Sequence, residues 1–317
     1  MANRTHDTAQ RRRSEHSSSR RRRRRSRSTI YLILAIVVFL VPVVLTHLQN
    51  NEQHRVAEEF SRSVEQLAPD ERNGMLERAR EYNDRLPEFG APDPWMYGPD
   101  TNSEAYQDYL NQLNVNSVMA RVQVPSVGID LPIYHGTSTS ALAHGVGHLY
   151  GTALLVGGEG THSVLTAHTG MSTLTMFDNL THVKKGDDII IDVAGEKLAY
   201  RVDHIQKVWP TQVENIRPEV GKDYVTLVTC TPYGFNTHRL LVRGERIDEP
   251  EHIQREYRSP WQLWMTLAVG IAVLILLYLL WRWFADRRRD KREREREARE
   301  RQHEREARGE NRGENHG

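Results

Sequence analysis

Two long apolar runs bracket a middle segment whose apolar positions come in short alternating stretches. The first run, IYLILAIVVFLVPVVLTHL, covers Ile30–Leu48 and carries no charge before His47. It is long enough to cross the roughly 30 Å of hydrocarbon in a bilayer. Pro42 is tolerable there, because neighbouring groups can satisfy the backbone it frees. The second, WQLWMTLAVGIAVLILLYLLWRWF, covers Trp261–Phe284 with no charge before Arg282. Trp261 and Trp264 stand at one end and Trp281 and Trp283 at the other, as aromatic belts do at two interfaces. A cleaved signal peptide is the rival for the first run. The following THLQNNEQ offers no A-x-A-like cleavage site, and the basic region before the run is unusually long, so it reads as an uncleaved anchor. A buried core helix is the rival for the second, and its uncharged length argues against that.

Between the runs the period changes twice. Val56, Phe60, Val64 and Leu67 recur at helical spacing across residues 52–86, Pro69 interrupts the pattern, MLERAREYNDRL resumes it and Pro87 ends it. PEFGAPDPWMYGPD, residues 87–100, is a Pro/Gly-rich loop holding one large aromatic, Trp95, directly after Asp93-Pro94. A plain surface turn with one half-buried ring and a docking contact are its two readings. AYQDYLNQL reads as a short helix. From Met119 the alternation becomes that of strands: MARVQVPSVGIDLPIYHG predicts two, SVLTAHTG predicts one ending at His168, and DDIIIDVAGEKLAYRVDHIQKV predicts a hairpin turning at Ala194-Gly195-Glu196. SALAHGVGHLYG reads as a short helix entering a Gly-rich turn, MFDNLTHV as a helical turn and TQVENIRPE as irregular or a short helix. DYVTLVTC and HRLLVRGERI are the last two strong strands. About eight short strands with few helices predict a mainly β fold, a small closed barrel with insertions.

Charge orients this plan. The net charge of the 317 residues is +1, which argues against a whole-chain nucleic-acid partner. The balance conceals local extremes. Arg4, Arg11–Arg13, Arg20–Arg25 and Arg27 precede the first run, and Arg287–Arg289 follow the second. Lys/Arg bias therefore predicts a two-pass membrane protein with both termini cytoplasmic and the middle outside. Anionic lipid is the simplest partner for the basic tail beside a span. The expected organisation is a basic tail over residues 1–29, a span over 30–48, an outer helical region with its loop over 49–114, a barrel over 115–248, a second span over 261–284 and a charged tail over 285–317. That last tail, mixed in sign, is either disordered or a solvated helix.

Cys230 is the one cysteine, so it cannot form an internal disulfide. Outside the cell an unpaired thiol is a liability unless it has a use. A nucleophilic cysteine needs a lowered pKa or a nearby base, and acyl transfer needs a donor where the tetrahedral oxygen gathers charge. His168 and Arg239 are the candidates, each at a strand edge. TLVTC and RLLVRG are predicted to be adjacent antiparallel strands joined by TPYGFNTH, with Cys230 and Arg239 near the same rim. Packing is the alternative use of a cysteine at a strand end. His135, His144, His148, His162, His168, His182, His204 and His238 all fall in the strand-rich region. None of them has the spacing of a structural zinc site, and Gly145 and Gly147 make a rigid helical site in HGVGH doubtful. No metal and no cofactor are expected, and most of these histidines are expected to be surface or hydrogen-bonded structural groups.

THSVLTAHTG, TLVTCTPYG and NTHRLLVRG together resemble the sortases, the membrane-anchored cysteine transpeptidases of Gram-positive bacteria. LPIYHGTS, GVGHLYGTALLVGGEGTHS and LTHVKKGD also resemble that family, over about residues 115–248. The resemblance implies that Cys230 is the nucleophile, His168 the proton donor and acceptor, and Arg239 the group that stabilises the oxyanion or holds the substrate backbone. Asp93-Pro94-Trp95 resembles the lid of class C, pilus-assembling sortases, with Asp93 near the Arg and Trp95 over the Cys, and the C-terminal span resembles that class too. Ala167-His168-Thr169-Gly170 departs from its more usual Gly-His-Arg-Gly. The function so implied is cleavage of an LPxTG-like sorting signal between Thr and Gly through a thioacyl-enzyme, and transfer to a pilin Lys as acyl acceptor. Attachment of surface proteins to a cell-wall precursor is the alternative, and an inactive membrane-anchored binding scaffold is a second one.

Overall fold

The computed structural model describes residues 3–86, 100–171, 173–212, 216–248 and 260–313. The chain forms two units, one of residues 1–43 with 262–317 and one of residues 44–261. The first holds most of the apolar stretches. Helix α1 (Asn3–Gln66) begins there, and α5 (Leu263–Gly313) lies wholly within it. Both helices are long and apolar enough to cross a membrane. Val43 packs with Met265 and Ala268, and Arg282 donates to Thr29 Oγ1 at 2.9 Å. The charged tail after the second apolar run is helical through Gly313, the solvated-helix alternative for that tail.

The second unit is a closed barrel of eight strands. They are β1 (Ala120–Val124), β2 (Ile129–His135), β3 (Val146–His148), β4 (Thr161–Thr166), β5 (Asp188–Val193), β6 (Glu196–Val208), β7 (Asp223–Thr231) and β8 (His238–Ile247). Their order around the barrel is β1-β2-β3-β4-β7-β8-β6-β5. Most neighbours are antiparallel, but β2 with β3 and β4 with β7 run parallel. Alternation sorts the side chains into two sets, as in any strand whose faces differ. Leu165, Val225, Leu227, Leu240 and Val242 join the main core inside the barrel. Val164, Val228 and Leu241 point to the outer face and form a second apolar cluster with Leu149, Val208 and Ile216.

Three expectations need correction. Val146–His148 is a strand and not part of a Gly-rich turn; its glycine lies so close to Gly136 O that any Cβ at Gly147 would collide with it. β4 stops at Thr166, two residues short of His168. The helix after the break starts at Pro69 itself, as α2 (Pro69–Asp84). A proline at the first helical turn forfeits no bond, because that N–H has no intrahelical partner.

The helices before the barrel are fixed to it by buried rings and caps. Met75, Leu76, Ala79 and Tyr82 of α2 join the main core. Asn83 donates to Leu154 O at 3.1 Å and accepts from Leu154 N at 2.7 Å. Ser103 caps α3 (Glu104–Asn111), and Tyr109 of α3 is fully buried, stacked on His148. The part of α1 after the apolar run also docks. Phe60 and Val64 pack against Val118. Arg121 grips Asp130 through two guanidinium nitrogens, His54 Nδ1 lies 3.0 Å from the same carboxylate, and Ser61 donates to Asp192.

Two histidines are structural, as expected of most. His148 Nε2–H donates to Ala153 O at 2.8 Å, which leaves Nδ1 to accept from the Tyr109 hydroxyl at 2.9 Å. His162 Nδ1–H donates to Arg217 O at 2.9 Å and Nε2 accepts from Thr226 Oγ1 at 2.7 Å. Burial pushes both down to about 4. A histidine depressed in the folded state contributes stability above its unfolded pKa near 6.5 that is lost as pH falls toward 4. Each should remove about 2 kcal/mol of unfolding free energy between pH 7 and pH 5. Urea unfolding at the two pH values should show the drop, and His162→Gln should remove about half of it.

Candidate active site

The outer face of β4, β7, β8 and β6 gathers the chemistry-bearing residues. In the β7–β8 ladder Cys230 pairs with Arg239, Val228 with Leu241 and Thr226 with Arg243. In the β6–β8 ladder Arg239 faces Val208 and Leu241 faces Gln206. The thiol and the guanidinium thus stand on directly opposed residues, as the two sequence motifs predict. His168 reaches the same rim by a different route. The parallel β4–β7 ladder ends with Thr166 beside Val228, and Ala167 N donates to Val228 O at 3.2 Å. His168 and Cys230 each lie two residues beyond that last pair, at the same edge of the sheet. Asp93 and Trp95 lie outside the described residues.

Cys230 and His168 are partly exposed. Burial lowers the His168 pKa below that of a free imidazole. Arg239 is half-buried, with Nη1 3.5 Å from His238 O. Beside it the exposed Trp209 ring lies tilted against His238 with centroids 4.1 Å apart. Tyr233 and Phe235 stand exposed in the loop between β7 and β8. Away from this rim the outer apolar cluster forms a floor. Beyond it a cavity is lined by His204, Gln206, Arg217, Glu219, Thr226, Leu241 and Arg243. Arg243 there is engaged by Asp203 and Glu219 and lies over the Tyr224 ring at 4.1 Å.

The segment that carries His168 is held from three sides. Thr169 and Thr229 join hydroxyl to hydroxyl, and Thr229 Oγ1 donates to Ala167 O at 2.7 Å. Asp178, in a 3-10 turn over Asp178–His182, accepts from Gly170 N at 2.7 Å. Asn50 of α1 donates to Thr175 Oγ1 at 2.8 Å and accepts from Thr175 N at 3.0 Å. Sequence motifs pointed to none of these supports. The one available signal was polar: Thr229 is a hydroxyl at an inward-facing strand position.

A closed eight-stranded barrel with cysteine, histidine and arginine at one rim brings together the groups that cysteine-dependent acyl transfer needs. Comparison with known proteins gives the family. A sortase domain profile matches residues 122–247. The chain is 48% identical to sortase C-1 from Actinomyces oris, over 57% of this chain and 100% of that one, with a TM-score of 0.56. It is 42% identical to the Group B Streptococcus Pilus Island 1 sortase C2, over 57% of this chain and 99% of that one, with a TM-score of 0.53. It is 33% identical to sortase A of Streptococcus agalactiae over 40% of this chain and 52% of that one. The chain belongs to the sortase family, whose members are cysteine transpeptidases, and its structural neighbours include class C, pilus-related sortases. It spans between 52% and 63% of the length of the curated relatives it matches.

Asp178 makes the support under His168 sensitive to pH. Burial pushes its carboxyl up to about 6, against the opposing Gly170 hydrogen bond. A raised carboxyl contributes stability that is complete below its unfolded pKa near 4 and is lost as pH rises through 6. The loss between pH 5 and pH 7 is about 1 kcal/mol, smaller than and opposite to the histidine effect. Asp178→Asn, which keeps an acceptor for Gly170, should gain on the wild type by that amount over the same interval, measured by urea unfolding.

Proposed function

We propose that this chain is a membrane-anchored cysteine transpeptidase of the pilus-assembling type. The observation that carries the reading is the direct pairing of Cys230 with Arg239 at the rim where His168 also arrives. With the Cys230 thiol proton passed to His168, the thiolate attacks the Thr carbonyl of an LPxTG-like sorting signal, and the Thr–Gly bond breaks as His168 gives that proton to the leaving amine. The thioacyl-enzyme is then attacked by a pilin Lys amine, whose proton His168 takes and returns to the departing sulfur, so an isopeptide bond forms as the thiol is released. Arg239 supplies positive charge at the carbonyl end of the groove.

The outer face suits such a substrate in length and polarity. From Cys230 to Thr226 is four strand positions, about 13 Å at 3.3 Å per residue. An extended Leu-Pro-x-Thr segment, about 10 Å from Leu to Thr, fits within that length, and the floor between is apolar. Likeness to class C neighbours supports the pilus-type reading. The match to a curated sortase A favours the alternative, attachment of surface proteins to a cell-wall precursor. An inactive scaffold is the remaining reading, and the joint presence of His168, Cys230 and Arg239 weighs against it. The two apolar helices and their flanking arginines support a two-pass topology with cytoplasmic termini and an extracellular barrel.

Cys230→Ala should abolish cleavage of a sorting-signal peptide by the full chain in detergent; full residual activity would place the nucleophile elsewhere. Offered a pilin Lys peptide and a cell-wall pentapeptide analogue together, the wild type should transfer to the Lys peptide, and preference for the pentapeptide would favour the housekeeping reading. Asp93 and Trp95 are proposed to cover the thiol in the resting enzyme. Asp93→Ala and Trp95→Ala should each raise the rate of Cys230 alkylation by iodoacetamide several-fold, and unchanged rates in both would remove the lid.

A further inference from the structure

The hydroxyls of Thr169 and Thr229 form a closed circuit around the backbone of His168. Thr229 Oγ1 donates its one proton to Ala167 O at 2.7 Å. Its contact with Thr169 Oγ1 therefore has Thr169 as the donor. The chain of bonds runs from Thr169 through Thr229 to Ala167, the two residues that flank His168. Thr229 itself precedes Cys230. Both threonines are buried, at 7% and 0% exposure, so no water competes for these bonds. Bonds in series and out of water strengthen one another, and breaking one strands a buried partner.

The circuit lies where regular pairing has ended. The β4–β7 ladder stops at Thr166 and Val228. Past it, Ala167 N to Val228 O is the last backbone bond between the two segments, and His168 O instead accepts from Phe177 N. The imidazole and the thiol are thus carried on segments that have left their shared ladder, and the threonine hydroxyls are what rejoins them. We propose that Thr169 is a positioning residue, which sets the distance between the His168 imidazole and the Cys230 thiol by donating to Thr229. The catalytic part of this inference rests on the transpeptidase reading. The tie between the two segments does not.

The test compares the full chain in detergent with Thr169→Val, which keeps the shape and removes the hydroxyl, and Thr169→Ser, which restores it. Misplacement of reacting groups by an ångström costs up to about 100-fold in rate. Thr169→Val should therefore lower kcat for sorting-peptide cleavage by about 10- to 100-fold with KM little changed, and Thr169→Ser should recover most of it. The pH profile of Cys230 alkylation should move in Thr169→Val and return in Thr169→Ser, because an imidazole held at another distance perturbs the thiol differently. Thr169→Val/Thr229→Val should be no slower than the worse single variant, since both changes cut one circuit. If Thr169→Val keeps wild-type kcat and an unmoved alkylation profile, or if the double variant loses the product of the single losses, the proposal is overturned. Should Thr169→Val not fold, Thr169→Ala carries the same expectations. A wild type that cleaves no sorting peptide refutes the transpeptidase reading instead, and the alkylation profiles still decide whether Thr169 sets the spacing.

Discussion

The site depends on one parallel ladder, the pairing of β4 with β7. Six register pairs, Thr161 with Asp223 through Thr166 with Val228, fix how far each strand travels before it ends. In a parallel pair the two chains advance together, so residues equally far beyond the last pair emerge at the same edge. His168 and Cys230 are such a pair. An antiparallel arrangement would send the two residues to opposite ends of the sheet. The ladder joins strands far apart in sequence and depends on the closed barrel around it, so the proximity of histidine and cysteine is a consequence of the whole fold.

The same strands serve two purposes because their side chains alternate. Leu227 and Val225 fill the barrel, while Val228 and Thr226 line its outside. Cys230 has the outward parity, and Thr229 beside it has the inward one. One residue of offset would exchange their faces and put the thiol in the core. That offset would also turn Val225 and Leu227 out of the core and bring the Thr226 hydroxyl into it, where an unsatisfied hydroxyl costs about 1–3 kcal/mol.

Much of this was legible in the sequence, and the boundary of legibility is physical. Strands with dense apolar runs, such as DYVTLVTC and HRLLVRGERI, declared themselves, and their short connection implied an antiparallel pair with Cys230 near Arg239. The family resemblance rested on ordered motifs and located His168. The strand at Val146–His148 was hidden because its short run contains a glycine, which in sequence signals a turn. Here that glycine allows close approach to Gly136. The end of β4 was misplaced because nothing in SVLTAHTG marks where backbone pairing gives way to side-chain pairing. Asn50 and Asp178 were invisible as supports, and Thr229 showed only as a polar residue at an inward strand position, since each partner is distant in sequence or defined by facing and burial. Local pattern carries neither kind of information.

Asn50 extends the argument to the first helix. It follows the apolar run Ile30–Leu48 by two residues, yet it belongs to the barrel's unit and is buried at 5% exposure. Its amide meets both the N–H and the hydroxyl of Thr175, satisfying a loop backbone group that no strand reaches. Thr175 O in turn accepts from Asp178 N, and Asp178 accepts from Gly170 N. A continuous line of hydrogen bonds therefore runs from α1 to the residue two positions after His168. A chain that began after Asn50 would retain every strand of the barrel and still leave the buried Thr175 amide without its partner. The first helix is thus part of the scaffold that holds the histidine, in addition to whatever its apolar run does in a membrane.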